Sequence, residues 1–215
     1  MSSGERHGHR GTRNLREALL TAALDILHND GLEKLTLRRV AAQVGVSHAA
    51  PAHHFRGLPH LLGALCGIGF DALSDRMEAA MAEAGNDPSA RLCALCEAYV
   101  GYAVENPGLI SLMFNYGKER VEKAAFGQSG QRAYSILRLA CAPFQPVGKA
   151  NDSLETQIWS LIHGFAFLTI GGRFDNPGRT TARPMIQDIL PPLTWRETAQ
   201  KVKRAPKADN KASNG

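Results

Sequence analysis

The sequence predicts an all-α fold, with an N-terminal three-helix domain and a larger C-terminal helical domain. Apolar residues recur at helical spacing through successive segments, proline follows Asp or Asn at two segment starts, and no strand-like alternation or internal repeat is visible. We expect about nine helices, near residues 14–29, 36–43, 47–53, 58–83, 88–105, 107–115, 117–140, 152–171 and 183–200.

Residues 35–54 are typical of a helix-turn-helix. Thr36 is a favourable N-cap for the first helix, and Gly45 stands where a helix C-terminus needs a left-handed residue. Ser47 is expected to cap a second, short helix. Two helices joined by a Gly-containing turn form a DNA-reading unit whose second helix enters the major groove. An ordinary helical hairpin has the same local pattern, so this alternative stays open.

Prolines and glycines mark the boundaries of the later helices. Asp87-Pro88 and Asn106-Pro107 are expected to start helices, because proline suits the first turn. Gly171-Gly172 is expected to stop the eighth helix. Residues 143–151 and 172–182, rich in Pro, Gly and Asn, are predicted loops.

The composition is that of an ordinary globular protein, with 215 residues, 44% hydrophobic and 21% charged residues, and a formal net charge of +5. The longest apolar candidate, residues 161–170, is shorter than the roughly 20 residues that a membrane helix needs. The N-terminus is basic but lacks the apolar region of a secretory signal. We therefore expect a cytoplasmic protein with no membrane partner.

Basic charge is concentrated in the first part of the chain. Residues 1–60 hold eight Lys or Arg against five Asp or Glu, and seven of the eight histidines, which suits a polyanionic partner. Residues 1–13 are expected to form a flexible basic arm, in which Arg10 and Arg13 either enter a minor groove or belong to a solvated terminus. Residues 201–215 are expected to be a disordered basic tail.

The four cysteines, Cys66, Cys93, Cys96 and Cys141, give no disulfide framework. Cys93 and Cys96 have a spacing found in metal and redox sites, but they lie in a helical pattern with no second pair to complete a tetrahedral site. We expect them to be small core residues, and we expect neither a metal nor a cofactor. The sequence has no nucleophile–base arrangement and no phosphate-binding loop, so no enzymatic activity is expected.

The stretch from about Asn14 to Asp71 resembles the DNA-binding domain of the tetracycline-repressor (TetR) family. The resemblance rests on LREALLTAALDILHNDG, on LEKLTLRRVAAQVGVS at the family spacing, and on His54-Phe55 ahead of a long helix. It implies a DNA-binding domain at residues 14–71 and a C-terminal ligand-binding and dimerisation domain at residues 72–200.

A second resemblance lies in ENPGLISLMF and WSLIHGF, which are similar to a C-terminal class of the family named for a Trp-His-Gly motif. Trp159, His163 and Gly164 stand at the matching spacing. In this family the last two long helices pair with those of a twofold mate. Here Pro191-Pro192 should kink or break the ninth helix, because proline removes a helical N–H and clashes with the preceding turn. Residues 152–171 are apolar over much of their circumference, which burial in a core or in a dimer interface would satisfy.

The family pattern implies a set of DNA contacts on this chain. Thr36 and His54 match phosphate contacts, and Arg38 is expected to point toward the groove, where a guanidinium can read guanine. Simple exposure on a polar face is the alternative for each, whereas Phe55 is expected to pack in the core. Because imidazole takes up a proton just below neutral pH, a further hypothesis is that His48, His53 and His54 make DNA binding pH-sensitive. The full set of candidates is Thr36, Arg38, Arg39, Ser47, His48, Ala49, His53 and His54.

The chain also departs from the family pattern. Most members have Leu-Tyr where this chain has Pro51-Ala52, and often Lys where it has Leu58. The missing Tyr and Lys usually touch phosphates, and each lost phosphate contact lowers affinity for DNA. A ligand-binding or partner-binding protein that has lost DNA specificity is therefore an alternative.

The resemblance implies a repressor that binds double-stranded operator DNA as a homodimer and is released by a small, largely apolar effector. Two half-sites need two readers, and the effector would shift the helix near residues 58–83. An activator of the same fold stays open. Candidate ligand contacts, for which core packing is the alternative, are Tyr99, Tyr102, Met113, Phe114, Trp159, His163 and Phe167.

Overall fold

A computed structural model of the protein describes residues 5–115, 123–146, 154–174 and 185–195. Over these residues the fold is all-α with one small pair of strands. The α-helices are α1 (Glu5–Asp30), α2 (Leu37–Val44), α3 (Leu58–Glu83), α4 (Pro88–Glu105), α5 (Pro107–Asn115), α6 (Lys123–Cys141), α7 (Leu154–Ile170) and α8 (Ile186–Ile189). Short 3-10 helices span Leu32–Lys34 and Ala50–His53, and the strands are β1 (Phe144–Pro146) and β2 (Leu193–Trp195).

The predicted boundaries of the middle helices are confirmed. The helices α3, α4 and α5 begin and end where the sequence indicates. The Asp87 carboxylate caps α4 by accepting a hydrogen bond from the Ala90 N–H at 2.9 Å. After α7, the N–H of Arg173 donates to the Leu168 carbonyl and Gly172 has a φ of 65°. Gly171-Gly172 therefore ends α7 as predicted.

The ninth helix breaks at Pro191-Pro192 as predicted, but the predicted helix beyond the prolines is wrong over the residues that the structure describes. One helical turn, α8, is followed by Pro191-Pro192 and then by β2, which pairs antiparallel with β1 in the register Pro146↔Leu193. The prolines lack the N–H groups that would continue the helix, and the extended chain beyond them finds hydrogen-bond partners on β1. The expected absence of strands is therefore wrong, and residues 144–146 of the predicted loop at 143–151 form β1. Residues 147–151, 175–182 and 196–200 lie outside the described part.

The helix α3 lies at the centre of the packing and contacts α1, α4, α5 and α6. One hydrophobic cluster runs from α1 to α8, and the expected domain boundary between residues 71 and 72 falls inside α3. At Gly69 the helices approach so closely that an added Cβ would lie 2.6 Å from the Met113 sulfur. The Tyr102 hydroxyl donates to the Gly69 carbonyl at 3.1 Å, so α3, α4 and α5 meet around this residue.

Ion pairs join the exposed faces of α3, α4 and α6. Arg132 of α6 lies 2.7 Å from the carboxylates of both Asp75 and Glu78 on α3. Arg76 of α3 forms a two-pronged pair with Glu105 of α4, in which Nη2 lies 2.8 Å from Oε1. Exposed pairs of this kind stabilise only weakly. None of the described helices combines the length and apolar character needed to cross a membrane.

Candidate nucleic-acid interface and ligand cavity

The turn after α2 has the geometry that the sequence predicts. The Thr36 side chain caps α2 by accepting a hydrogen bond from the Arg39 N–H at 3.2 Å. Gly45 ends the helix in the left-handed region with a φ of 77°, and its N–H bonds the carbonyls of Ala41 and Ala42. The next residue, Val46, donates back to Ala41 at 3.0 Å. These bonds end α2 within a few residues.

The segment after this turn is not the α-helix that was predicted for residues 47–53. It is a turn followed by the 3-10 helix Ala50–His53, and its N-cap residue, Ala49, makes no side-chain cap. In an α-helix the N–H of residue 51 would bond the Ser47 carbonyl, but Pro51 has no N–H. That carbonyl instead accepts from the Ala50 N–H at 3.0 Å. The predicted cap at Ser47 is therefore wrong, because the bonding is one residue tighter than in an α-helix.

Phe55 anchors this segment to the core, as expected, and is 1% exposed. The Arg16 guanidinium of α1 lies 5.4 Å from the centre of its ring, and the His60 ring packs edge-on against it at 5.8 Å. His60 also accepts a hydrogen bond at Nδ1 from the Arg56 N–H at 3.1 Å. The short helix is thus held between α1 and the first turn of α3.

The eight candidate DNA contacts lie in two stretches, residues 36–39 and 47–54, joined through the Gly45 turn. Arg39 is committed to an ion pair, with its Nη2 2.7 Å from the Asp30 Oδ2 at the end of α1. Arg38 makes no hydrogen bond or ion pair with any other described residue and is exposed. Thr36, Ser47, His48, Ala49 and His53 are also exposed, whereas His54 is half-buried. Their roles at DNA stay predictions.

The expected flexible arm overlaps α1, whose backbone is helical from Glu5. Arg10 and Arg13 therefore continue the first helix, although their side chains lie outside the described part. The expected tail, residues 201–215, lies wholly outside it.

A cavity of about 680 Å³ lies among α3, α4, α5, α6 and α7, which is within the usual range for small-molecule sites. Four of the predicted ligand contacts, Tyr99, Met113, Phe114 and Trp159, are in its wall. The remaining wall residues are Cys66, Phe70, Leu73, Met77, Leu95, Leu112, Gly127, Gly130, Gln131, Ala133, Tyr134, Ser135, Leu137 and Ile162.

Three predicted ligand contacts do not line the cavity. Tyr102 points its hydroxyl at the Gly69 carbonyl and packs between α3 and α4. His163 and Phe167 lie behind the wall on α7, with ring centres 4.7 Å apart. The helical spacing that suggested these residues could not separate the cavity side of α4 and α7 from the neighbouring core.

His163 supports the cavity wall from behind. Its Nδ1 lies 2.6 Å from the Tyr99 hydroxyl oxygen, and its ring packs edge-on against Phe114 at 4.7 Å. Burial lowers the pKa of His163 below its ordinary value of 6.5 and raises the pKa of the Tyr99 hydroxyl. At neutral pH the imidazole is therefore uncharged and the hydroxyl protonated, and the two groups share one hydrogen bond whose donor depends on the imidazole tautomer.

The sequence predictions missed the contributions of α3 and α6 to the cavity. Four α3 residues, Cys66, Phe70, Leu73 and Met77, recur at helical spacing and look like core residues in sequence. On α6 the wall includes Gly127 and Gly130, which leave space beside larger neighbours. An apolar α3 combined with glycines in a facing helix is the signal that indicates a cavity here.

The cysteines are all free. Cys96 is buried, as expected, whereas Cys93 is half-buried and lies with its sulfur 3.8 Å from a Glu97 carboxylate oxygen. Within the described residues no three His, Cys, Asp or Glu side chains gather as metal ligands would. The pair thus contributes to the packing of α4.

Residues 92–188 match a family described as "Tetracyclin repressor-like, C-terminal domain". The chain is 33% identical over 102 residues to the nucleoid occlusion factor SlmA of Edwardsiella ictaluri (strain 93-146), covering 47% of this chain and 51% of that protein. It is 32% identical over 102 residues to SlmA of Escherichia coli O1:K1 / APEC, with the same coverage. The chain spans about half the length of the curated relatives it matches.

Solved structures are similar over most of the chain. A protein of unknown function from Rhodococcus sp. RHA1 has 32% identity and a TM-score of 0.65, covering 87% of this chain and 92% of that one. A TetR family transcription regulator from Marinobacter aquaeolei VT8 has 17% identity and a TM-score of 0.57, covering 81% and 91%. The TetR family regulator PfmR from Thermus thermophilus has 20% identity and a TM-score of 0.55, covering 77% and 90%. The last two show the fold alone, and the Trp-His-Gly class stays a prediction.

Proposed function

We propose that the chain is a DNA-binding transcriptional regulator of the TetR family and that it acts as a ligand-responsive repressor. In this proposal a homodimer binds a palindromic operator, and a small, largely apolar effector in the cavity releases it. The observation that carries the proposal is the course of α3. This single helix begins three residues after Phe55 and lines the cavity with Cys66 and Met77.

A continuous helix between the two sites gives the effector a way to act. Since α3 is anchored at its start by His60 and borders the cavity further along, a ligand that changes its tilt moves the Phe55 anchor with it. The effector must bind the released arrangement more tightly than the DNA-bound one, because only differential affinity shifts the equilibrium.

On the DNA side we propose that Arg38 reads a base. It is exposed and free of partners among the described residues, and guanidinium is the group that reads guanine in two-pronged geometry. Thr36 and His54 would contact phosphates, and Ser47, His48, Ala49 and His53 would face the groove. Arg39 would position α2 through Asp30 rather than contact a base.

For the dimer we propose an interface that contains α7. Its exposed face carries Leu168, which is 49% exposed, and the small residues Ser160 and Gly164. An added Cβ at Gly164 would meet no atom within 4 Å, so a second helix has room to approach. Because α8 is only four residues long, a pair of long final helices cannot form the interface over the described residues.

A second candidate function follows from Pro51. The 3-10 helix has replaced the usual reading helix, and this favours a ligand-binding or partner-binding protein with reduced DNA specificity. Gel-shift titration with the DNA upstream of its own gene, at about 150 mM salt with excess competitor, distinguishes the two. A complex in the range of about 10⁻⁸–10⁻¹¹ M supports the repressor. Weak binding that random DNA removes, followed by a failed selection from random sequences, supports the second candidate.

The direction of regulation needs a separate measurement. A reporter gene placed behind the selected operator should be silent in the presence of the protein and expressed without it. Expression that rises with the protein would instead identify an activator of the same fold.

A further inference from the structure

The described wall of the cavity carries no charged side chain. Cys66 stays a neutral thiol, because burial raises its pKa to about 12. The nearby carboxylate of Glu155 is not in the wall and lies 3.5 Å from the Tyr134 hydroxyl. A charged ligand in contact with these described residues would therefore lose hydration there without gaining a counter-charge from them, which is unfavourable.

Aromatic rings form a connected series along the cavity. Phe70 packs edge-on against Phe114 with ring centres 5.3 Å apart, and Phe114 lies 6.0 Å from Trp159. Trp159 in turn lies 5.9 Å from Tyr134. The series runs from buried Phe70 to Tyr134 and Trp159, each 36% exposed. Ring faces and edges of this kind bind flat, ring-containing molecules well.

The two ends of the cavity differ in polarity. Cys66, Leu95 and Leu112 are fully buried and form an apolar inner end. On α6, exposed Gln131 and half-buried Ser135 are one helical turn apart and share a face. Their amide and hydroxyl groups donate and accept hydrogen bonds without carrying charge.

We propose that the cavity takes an uncharged, ring-containing molecule with a hydroxyl, carbonyl or amide group at one end. Its rings would lie against Phe70 and Phe114, and its polar end would face Gln131 and Ser135 on α6. The inference rests on the proposed function in so far as the cavity is the effector site.

The test uses the full chain and N-phenyl-1-naphthylamine, an uncharged dye that fluoresces in apolar sites. Three competitors share one ring system and differ in charge: 1-naphthylmethanol, 1-naphthoate and 1-naphthylmethylammonium. We expect the alcohol to displace the dye at a concentration at least about tenfold below that of either ion, because every tenfold corresponds to about 1.4 kcal/mol of binding free energy. Equal displacement by either ion, or no dye binding up to its solubility limit, overturns the proposal.

A cavity variant ties the dye to this site. An added Cβ at Gly127 would meet no atom within 4 Å, so Gly127→Leu can fill the space with little strain while Gly127→Ala serves as its small control. We expect the leucine variant to bind the dye about tenfold more weakly and the alanine variant to bind within about twofold of the original chain. Unchanged binding in the leucine variant, with an unaltered circular dichroism spectrum, overturns the assignment to the cavity.

The same samples separate this inference from the proposed function. The alcohol is added to the complex of protein and selected operator in the gel-shift assay. Binding of the alcohol without release of DNA supports the ligand class and contradicts the effector mechanism. Release by 1-naphthoate, but not by the alcohol, supports the effector mechanism and overturns the ligand class.

Discussion

Gly108 of α5 lies against the main chain of Leu27 in α1, so closely that an added Cβ would stand 2.8 Å from the Leu27 carbonyl oxygen. The same helix α5 supplies Met113 and Phe114 to the cavity wall. Asp30, at the same end of α1 and three residues after Leu27, holds α2 through its ion pair with Arg39. The cavity is therefore connected to the proposed DNA-reading unit, residues 35–54, through α5 and α1 as well as through α3.

Replacing Gly108 with alanine should separate α5 from α1. The added methyl group meets a carbonyl oxygen that cannot rotate away, and overpacking of this kind costs about 1–3 kcal/mol of unfolding free energy. Urea denaturation monitored by circular dichroism measures the loss. Gly127→Ala is the matched control, since its Cβ meets open space and alanine favours a helix by about 1 kcal/mol. Equal stability of the two variants would contradict the close contact at Gly108.

Replacing Arg38 with alanine should weaken operator binding by about 1–3 kcal/mol and relax the preference at one base pair. Arg39→Ala is the control variant, because Arg39 already binds Asp30. Losing an exposed ion pair of this kind costs only about 0–1 kcal/mol of stability. Gel-shift titrations against the operator and its single-base variants give both quantities. Unchanged affinity of the Arg38 variant would remove this residue from the proposed reading surface.

Acid should destabilise the protein in part through His163. Its pKa in the folded chain lies below the ordinary value of 6.5, so the unfolded chain takes up this proton first as the pH falls. The stabilisation is fully present above about pH 6.5 and is lost as the pH falls towards the folded pKa. The unfolding free energy, measured by chemical denaturation between pH 7.5 and 5, should therefore fall less steeply with falling pH for His163→Gln, whose amide group can still form a hydrogen bond with Tyr99. Identical slopes would argue that His163 titrates as it does in the unfolded chain.

Removing the Tyr99 hydroxyl should leave the Nδ1 atom of His163 without its hydrogen-bond partner at 2.6 Å. The Tyr99→Phe variant keeps the shape of the ring and loses only the hydrogen bond. We therefore expect its unfolding free energy to fall by about 1 kcal/mol. Tyr134→Phe is the control, because its hydroxyl bond to Glu155 is long at 3.5 Å and exposed. Chemical denaturation at pH 7.5 compares the two. A larger loss for the Tyr134 variant would contradict the structural role given to the buried pair.

Helix boundaries were predictable where the chain carries its own stop or start. Gly45 and Asp87 act within a few residues, through a left-handed conformation and a side-chain cap, so sequence alone locates them. Pro51 also acts locally, but its effect is a choice between an α-helix and a 3-10 helix. Ser47 favours a helix start, whereas Pro51 cannot supply the N–H that an α-helix would bond to the Ser47 carbonyl, and counting favourable residues does not decide the outcome.

The cavity was less predictable because it depends on helices far apart in the chain. Trp159 and Tyr99 could be recognised as aromatic residues of helices with an apolar side, but Tyr102 has the same appearance and is used for packing on Gly69. Likewise, β2 forms only because β1 is available about fifty residues earlier. Local propensity contains no information about either partner.

The pairing of Pro146 with Leu193 closes, through the hydrogen bonds of the two strands, a long loop of chain that contains α7. A chain that ended before Leu193 would leave β1 without its strand partner, and α7 would lose one attachment. In the full chain the strand pair offsets the entropic cost of closing a loop of this length. A purification tag or fusion partner at the C-terminus is therefore safest when residues up to Trp195 are retained. A cut within the loop would leave both halves joined through the strands and the core.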